Sequence, residues 1–170
     1  MRKIILALFA LVLGAGSLAA QNARLPENIT LRDLDGKNVP SSVIQNDGRP
    51  VILSFWATWC KPCNLELDAI KEVYDEWQEE TGVKLVAVSI DDARSAARVR
   101  PWVNGKDWPF DIFLDQNKDL ARALNVGADV PHTFILNGDG EIVWQHKGYQ
   151  SGSEEELINQ VRELIQKEAQ

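Results

Sequence analysis

The sequence contains two cysteines, and they stand two residues apart in Phe55-Trp56-Ala57-Thr58-Trp59-Cys60-Lys61-Pro62-Cys63. Such a pair can close to a disulfide and reopen, so its chemistry is thiol–disulfide exchange. An apolar run, Val51-Ile52-Leu53-Ser54-Phe55, leads into it, and a helical pattern begins near Pro62. A strand running into a helix places Cys60 at the helix N-terminus. There the unpaired backbone N–H groups and the positive end of the macrodipole favour an anion. The thiolate is the reacting form of cysteine, and this position lowers its pKa from about 8.5 towards about 7 or below. Cys60 is therefore the expected nucleophile, and Cys63, one turn into the helix, the resolving thiol. Pro62 suits the first turn, where its missing N–H would have no partner. Lys61 adds positive charge beside Cys60 and favours the thiolate modestly.

Other uses of two cysteines fit less well. Zinc wants four ligands, and there is no second pair. His132 and His146 lie far down the chain at a spacing that suggests no finger. A structural disulfide is poorly served by so short a loop, since the entropic benefit grows with loop length.

The compartment follows from the N-terminus. Arg2 and Lys3 form a basic start, Ile4 to Leu13 is unbroken apolar sequence, and Gly14 to Ala20 is rich in small residues. This is the pattern of a signal peptide over 1–20, cleaved after Ser17-Leu18-Ala19 or Leu18-Ala19-Ala20. The apolar stretch is short for a bilayer-spanning helix of about 20 residues. The expected location is the periplasm, or a membrane-anchored form there if the segment is not cleaved. No cysteine adjoins the cleavage site, so lipid attachment at a new N-terminal cysteine is excluded. Removing 1–20 takes away Arg2 and Lys3 and no acid, leaving 16 basic against 25 acidic residues, a net charge of −9. That charge excludes nucleic acid, whose binding rests on neutralised phosphates.

The elements that must position the cysteines can be read in order. Residues 21–28 look like a linker, and 29–170 form one domain. Ile29 to Val39 reads as a β-hairpin turning at Asp35-Gly36. Pro40 to Ser42 and Gln45 to Pro50 are loop, and Arg49 to Trp56 is a buried strand. Leu67, Ile70, Val73, Tyr74 and Trp77 make one apolar face of a helix ending near Thr81-Gly82. Val83 to Ile90 is a second interior strand. Asp91 and Asp92 are expected caps for a helix from Ala93 to about Asn104, with a kink at Pro101. Phe110 to Leu114 is a short strand, Asn117 to Asn125 a short helix, and His132 to Leu136 another strand. Asn137 to Gly140 turns back into Glu141 to Lys147. Ser153-x-x-Glu156 reads as a capping box before a stripe of Leu157, Ile158, Val161, Leu164 and Ile165. The pattern predicts an α/β sandwich with a mixed central sheet.

The sequence resembles thioredoxin-fold proteins, and more narrowly the exported TlpA/ResA-type thiol–disulfide oxidoreductases. The resemblance spans about residues 26–168. It rests on Phe55 to Cys63, on Val130-Pro131-His132-Thr133-Phe134-Ile135-Leu136 followed by Gly138-Asp139-Gly140, and on the helix-and-strand insertion from Asp91 to Asp115. It implies a three-layer sandwich with helices on both faces, an N-terminal β-hairpin and that mid-chain insertion. It also implies a cis peptide between Val130 and Pro131, placing this loop against the disulfide, where Trp59, Lys61, Pro62, Val130 and Pro131 contact the substrate chain. Thioredoxin's buried aspartate is replaced here by Ser54, which cannot act as a base. An acid shortly after the second cysteine, Glu66 here, is implied as a proton relay to Cys63. Helical spacing puts both side chains on one face, and burial would raise the Glu66 pKa. The five tryptophans other than Trp59 are read as core.

The expected reaction is reduction of a partner disulfide, with no cofactor because the cysteines carry the electrons. The expected partners are exported thiol or disulfide proteins, apocytochrome c among them, and a membrane electron donor for re-reduction. Two rivals use the same residues. One is a dithiol oxidase running the reaction the other way. The other is a copper chaperone using Cys60, Cys63 and His132, since soft thiolates suit Cu(I). Against the chaperone stand the absence of methionine after Met1 and the close cysteine spacing.

Overall fold

A computed structural model describes residues 23–170, so the expected signal segment lies outside the described residues. In chain order the elements are β1 (Thr30–Arg32), β2 (Asn38–Pro40), β3 (Val51–Trp56), α1 (Lys61–Lys71), α2 (Tyr74–Thr81) and β4 (Lys84–Ser89). Then follow α3 (Val99–Lys106), β5 (Asp111–Leu114), α4 (Asp119–Ala123), β6 (His132–Leu136), β7 (Ile142–Lys147) and α5 (Ser153–Glu168). The seven strands form one sheet in the order β2-β1-β5-β4-β3-β6-β7, with helices on both faces. Strands β4 and β5 run parallel to β3, whereas β6, β7 and the β1–β2 hairpin supply the antiparallel pairs. The expected mixed-sheet sandwich is the one found.

β3 explains where the site sits. All six of its residues are buried, as in a strand covered on both faces. Ser54 is its one polar member, and it pairs with Ala87 of β4 on one side and Thr133 of β6 on the other. This interior strand delivers Cys60 beyond its C-terminal end, where α1 begins. The β1–β2 hairpin turns at Gly36, whose φ of 84° suits glycine, while the Asp33 carboxylate accepts the Asp35 and Lys37 N–H groups.

Several expectations are corrected. Residues 23–28 are not a free linker. Leu25 is buried, Arg24 bridges to Glu141, and the Ile142 N–H donates to the Ala23 carbonyl. The expected long helix breaks at Val73, whose φ of −123° and ψ of 0° leave the helical region. Beyond the break, the Tyr74 hydroxyl accepts the Leu85 N–H, so the chain re-aims to keep Tyr74 and Trp77 on the sheet. The irregularity expected at Pro101 lies earlier, where a 3-10 turn over Ala96–Arg98 passes into α3. Pro101 itself falls in the first turn of α3, where its missing N–H is harmless. The Ser153–Glu156 capping box does not form. Ser153 Oγ instead donates to the Gln150 carbonyl, and Glu154 accepts the Gly152 N–H.

Candidate active site

Cys60 and Cys63 are joined as a disulfide. Cys60 is the N-cap of α1, with extended backbone, and its sulfur accepts the Cys63 N–H at 3.2 Å. A sulfur placed to receive a first-turn amide is a sulfur whose anion that amide stabilises. Cys63 is fully buried. Lys61 and Pro62 are exposed beside it, and Trp59 is 58% exposed. The entry to the pair is therefore from the Cys60 side.

Glu66 lies one helical turn beyond Cys63 and is only 4% exposed. Ser54 Oγ donates to its carboxylate at 3.1 Å, and Thr133 Oγ1 lies 3.2 Å from both its oxygens. Burial raises its pKa to about 7, against the opposing pull of those two hydroxyls, and the charge of Glu154 adds to the rise. The sheet register builds this cluster: Ser54 and Thr133 are cross-strand partners, and both face α1. Thr133 is absent from any sequence reading of the site. The alternation of β6 marks its face, but nothing local says that β6 pairs with β3.

The Val130–Pro131 peptide is cis, and the Val130 carbonyl oxygen lies 3.4 Å from Cys60 Sγ. A disulfide sulfur has no proton to donate, so this is a contact that becomes a hydrogen bond only in the thiol. The Pro131 carbonyl accepts the Gly148 N–H, which anchors the loop to the end of β7. His132 is not brought to the Glu66 cluster. It projects to the opposite sheet face from Thr133, stacks on Phe134, and places Nε2 3.0 Å from Gln145 Oε1. Burial lowers its pKa, against the pull of the Gln145 hydrogen bond, and so favours the neutral imidazole.

Three further residues hold the site, and sequence reasoning placed none of them there. Asp91 is fully buried and caps no helix. Its carboxylate accepts the Thr58 N–H at 2.8 Å, the Thr58 hydroxyl at 2.7 Å and the Ser89 hydroxyl at 2.8 Å, clamping the turn before Cys60 to the end of β4. Asp92 caps no helix either: its carboxylate accepts the Arg94 and Ser95 N–H groups in a turn, and the helix expected from Ala93 begins only with the 3-10 turn at Ala96. Asn64 donates to the Cys60 carbonyl at 2.7 Å and accepts the Trp102 indole N–H at 2.7 Å. Trp102 is 40% exposed, unlike the buried Trp56, Trp77 and Trp108, so the reading of it as core is corrected. An Asp-Asp pair directly after an apolar strand was the available sign for Asp91; Trp102 left none.

Residues 22–145 match the AhpC/TSA family. The chain is 30% identical to the thiol-disulfide oxidoreductase ResA of Halalkalibacterium halodurans, over 99% of this chain and 96% of that protein. Among solved structures it resembles a thioredoxin-like protein from Porphyromonas gingivalis, with TM-score 0.73, 46% identity, and coverage of 85% of this chain and 95% of the other. It also resembles StoA from Bacillus subtilis, with TM-score 0.63, 26% identity, and coverage of 81% and 99%. With a C-x-x-C disulfide at the head of α1, the chain belongs to the thioredoxin-like AhpC/TSA family and, within it, to the ResA-type protein thiol–disulfide oxidoreductases.

Proposed function

We propose that this protein works in the reducing direction, in an exported location, on disulfides of other exported proteins. The observation that carries the direction is the buried Glu66 behind the buried Cys63. Strong dithiol oxidases are oxidising because their reduced form is stabilised as thiolate. A buried carboxylate on the same helical face as Cys63 opposes that stabilisation and favours the disulfide form of the enzyme. Electrons then flow outward, to the partner.

In this reading the Cys60 thiolate attacks a partner disulfide. A Cys60–partner S–S bond forms, and the partner's other sulfur leaves as thiolate. Cys63 passes its proton to the Glu66 carboxylate and attacks Cys60 Sγ, closing the Cys60–Cys63 bond and releasing the second partner sulfur. Two electrons have moved to the partner. Trp59, Lys61, Pro62, Val130 and Pro131 frame the entering chain, and a thiol donor at the membrane returns the two electrons. Apocytochrome c is one partner of the right chemistry. The apolar N-terminal segment, Ile4 to Leu13 behind Arg2 and Lys3, supports export.

The reduction potential of the Cys60/Cys63 couple, equilibrated against dithiothreitol or glutathione, tests the direction. It is expected nearer the thioredoxin value of about −270 mV than the about −120 mV of a strong oxidase. A value at the oxidising end would reverse the assignment.

A further inference from the structure

The side-chain amide of the buried Asn64 is engaged at both ends, and its partners fix which way it points. Its Oδ1 accepts the Trp102 indole N–H at 2.7 Å. An indole only donates, so the oxygen faces Trp102 and the NH2 faces the other way. That NH2 donates to the Cys60 carbonyl at 2.7 Å and reaches the Ala57 carbonyl at 3.5 Å. The Cys60 N–H closes the same turn, donating to the Ala57 carbonyl at 3.0 Å. Asn64 therefore spans the turn that carries the reacting sulfur, and Trp102 of α3 locks it there. The same stripe of α1 continues in Asp68, which accepts the Trp108 indole N–H and Lys106 Nζ, and in Lys71, which donates to the Lys106 carbonyl. All of these bonds tie α1 to the mid-chain segment, but of them it is the amide of Asn64 that reaches Cys60.

In the disulfide form the Cys60–Cys63 bond holds this turn closed by itself. Once a partner sulfur is joined to Cys60, that bond is gone, and Cys63 must still find Cys60 Sγ. What continues to fix Cys60 is its carbonyl, which takes the Asn64 backbone N–H at 3.2 Å and the shorter bond from the Asn64 side chain. We propose that Asn64, locked by Trp102, is a positioning residue for the closing step, keeping Cys60 Sγ within reach of Cys63 while the mixed disulfide exists. The proposal rests on the reading that Cys60 attacks and Cys63 closes, and is independent of the direction of electron flow. Attack by Cys60 needs only an accessible thiolate, whereas closure needs two sulfurs in one place, so the two steps respond differently to a loosened turn.

Stopped-flow reaction of the reduced protein with dithiodipyridine, over a range of reagent concentrations, separates them. The Cys60 thiolate forms a mixed disulfide and displaces one pyridinethione, in a phase whose rate rises with reagent. Cys63, its proton passing to Glu66, then forms the Cys60–Cys63 bond and displaces the second, in a phase whose rate does not. Asn64→Ala is expected to slow the second phase about tenfold, the scale of one hydrogen bond that positions a reacting group, and the first by less than about twofold. Trp102→Phe keeps an aromatic ring without the N–H, and should slow the same phase by a smaller factor. The double variant should be no slower than Asn64→Ala, because both changes act through one amide. Asp68→Ala, which loosens α1 from the same segment without touching Cys60, should leave both phases as in wild type. A second phase unchanged in Asn64→Ala or in Trp102→Phe overturns the proposal. So does an equal fall of both phases, or a second phase slowed as much by Asp68→Ala, since Asn64 would then serve only the packing of the helix. A wild type that released a single pyridinethione would remove the two-step exchange itself, and this proposal with it.

Discussion

The hydroxyl of Thr133 lies 3.2 Å from both carboxylate oxygens of Glu66, although 67 residues separate them in the chain. With Ser54 it makes a small polar chamber inside an apolar core, directly under α1. Two hydroxyls cannot satisfy a buried carboxylate as water does, so the charged form of Glu66 stays costly. A carboxyl that ionises near pH 7 is suited to exchange a proton with a thiol in the same range.

The resolving step should therefore follow the charge of Glu66. In single-turnover reduction of a partner disulfide, the wild-type rate is expected to rise with pH through about 7 as Glu66 becomes a base. Glu66→Gln keeps size and hydrogen bonding but cannot titrate. It should lose that inflection and resolve at least about tenfold more slowly at pH 8. The first attack by Cys60 should change less, because that sulfur is at the entry. Superimposable profiles from pH 5 to 9 would reduce Glu66 to a structural residue.

Cys63→Ser should trap a mixed disulfide with a partner, and Cys60→Ser should not. Cys63 is fully enclosed, whereas Cys60 sits at the head of α1 beside the exposed Trp59 and Lys61. Non-reducing gels after exposure to a cystine peptide decide it. A trapped species in Cys60→Ser alone would invert the two roles.

Asp91 should matter for stability as much as any apolar core residue. Asp91→Ala leaves the Thr58 N–H and two hydroxyls without their acceptor, at a cost of about 3 kcal/mol. In urea unfolding, the loss in Asp91→Ala combined with Thr58→Val should be smaller than the sum of the single losses. Additive losses would mean that Asp91 does not clamp the turn before Cys60.

These residues mark how far the sequence could be read. The cysteine pair, its strand and its helix were legible because each is local: an apolar run, a proline in a first turn, a spacing of three. Glu66 was pointed to by the family resemblance, and helical spacing alone added only that it shares a face with Cys63. Thr133 was not, because its place depends on β6 lying antiparallel to β3 in the register that sets it opposite Ser54. Asp91 was misread because a capping aspartate and a buried clamp look alike until the Thr58 turn folds over one of them. The break at Val73 was hidden by a continuous apolar stripe, which keeps facing the sheet on both sides of it.

Copper binding should be weak. His132 gives Nε2 to Gln145 and stacks on Phe134, on the sheet face away from the Glu66 cluster. Titration of the reduced protein with Cu(I) against a competing chelator should give no tight one-to-one complex. Such a complex, lost in His132→Ala, would put metal transfer ahead of disulfide exchange.

Glu66 also makes a prediction that needs no catalysis. Its folded-state pKa is raised from 4.5 to about 7, so the folded protein holds this proton more tightly than the unfolded chain does. The contribution is fully present below pH 4.5 and is lost as pH rises through 7. The shift corresponds to about 3 kcal/mol between those limits. Other groups are shifted as well: burial raises the pKa of Asp115 and lowers that of His132. The useful quantity is therefore the difference between wild type and Glu66→Gln, measured by urea unfolding of the disulfide form, in which the cysteines do not titrate. Relative to wild type, Glu66→Gln should gain about 3 kcal/mol between pH 4.5 and pH 8, with most of the change between pH 5 and 7. A difference that does not vary with pH would mean that Glu66 ionises in the folded protein as freely as in the unfolded chain, and the buried-acid account of this site would fall.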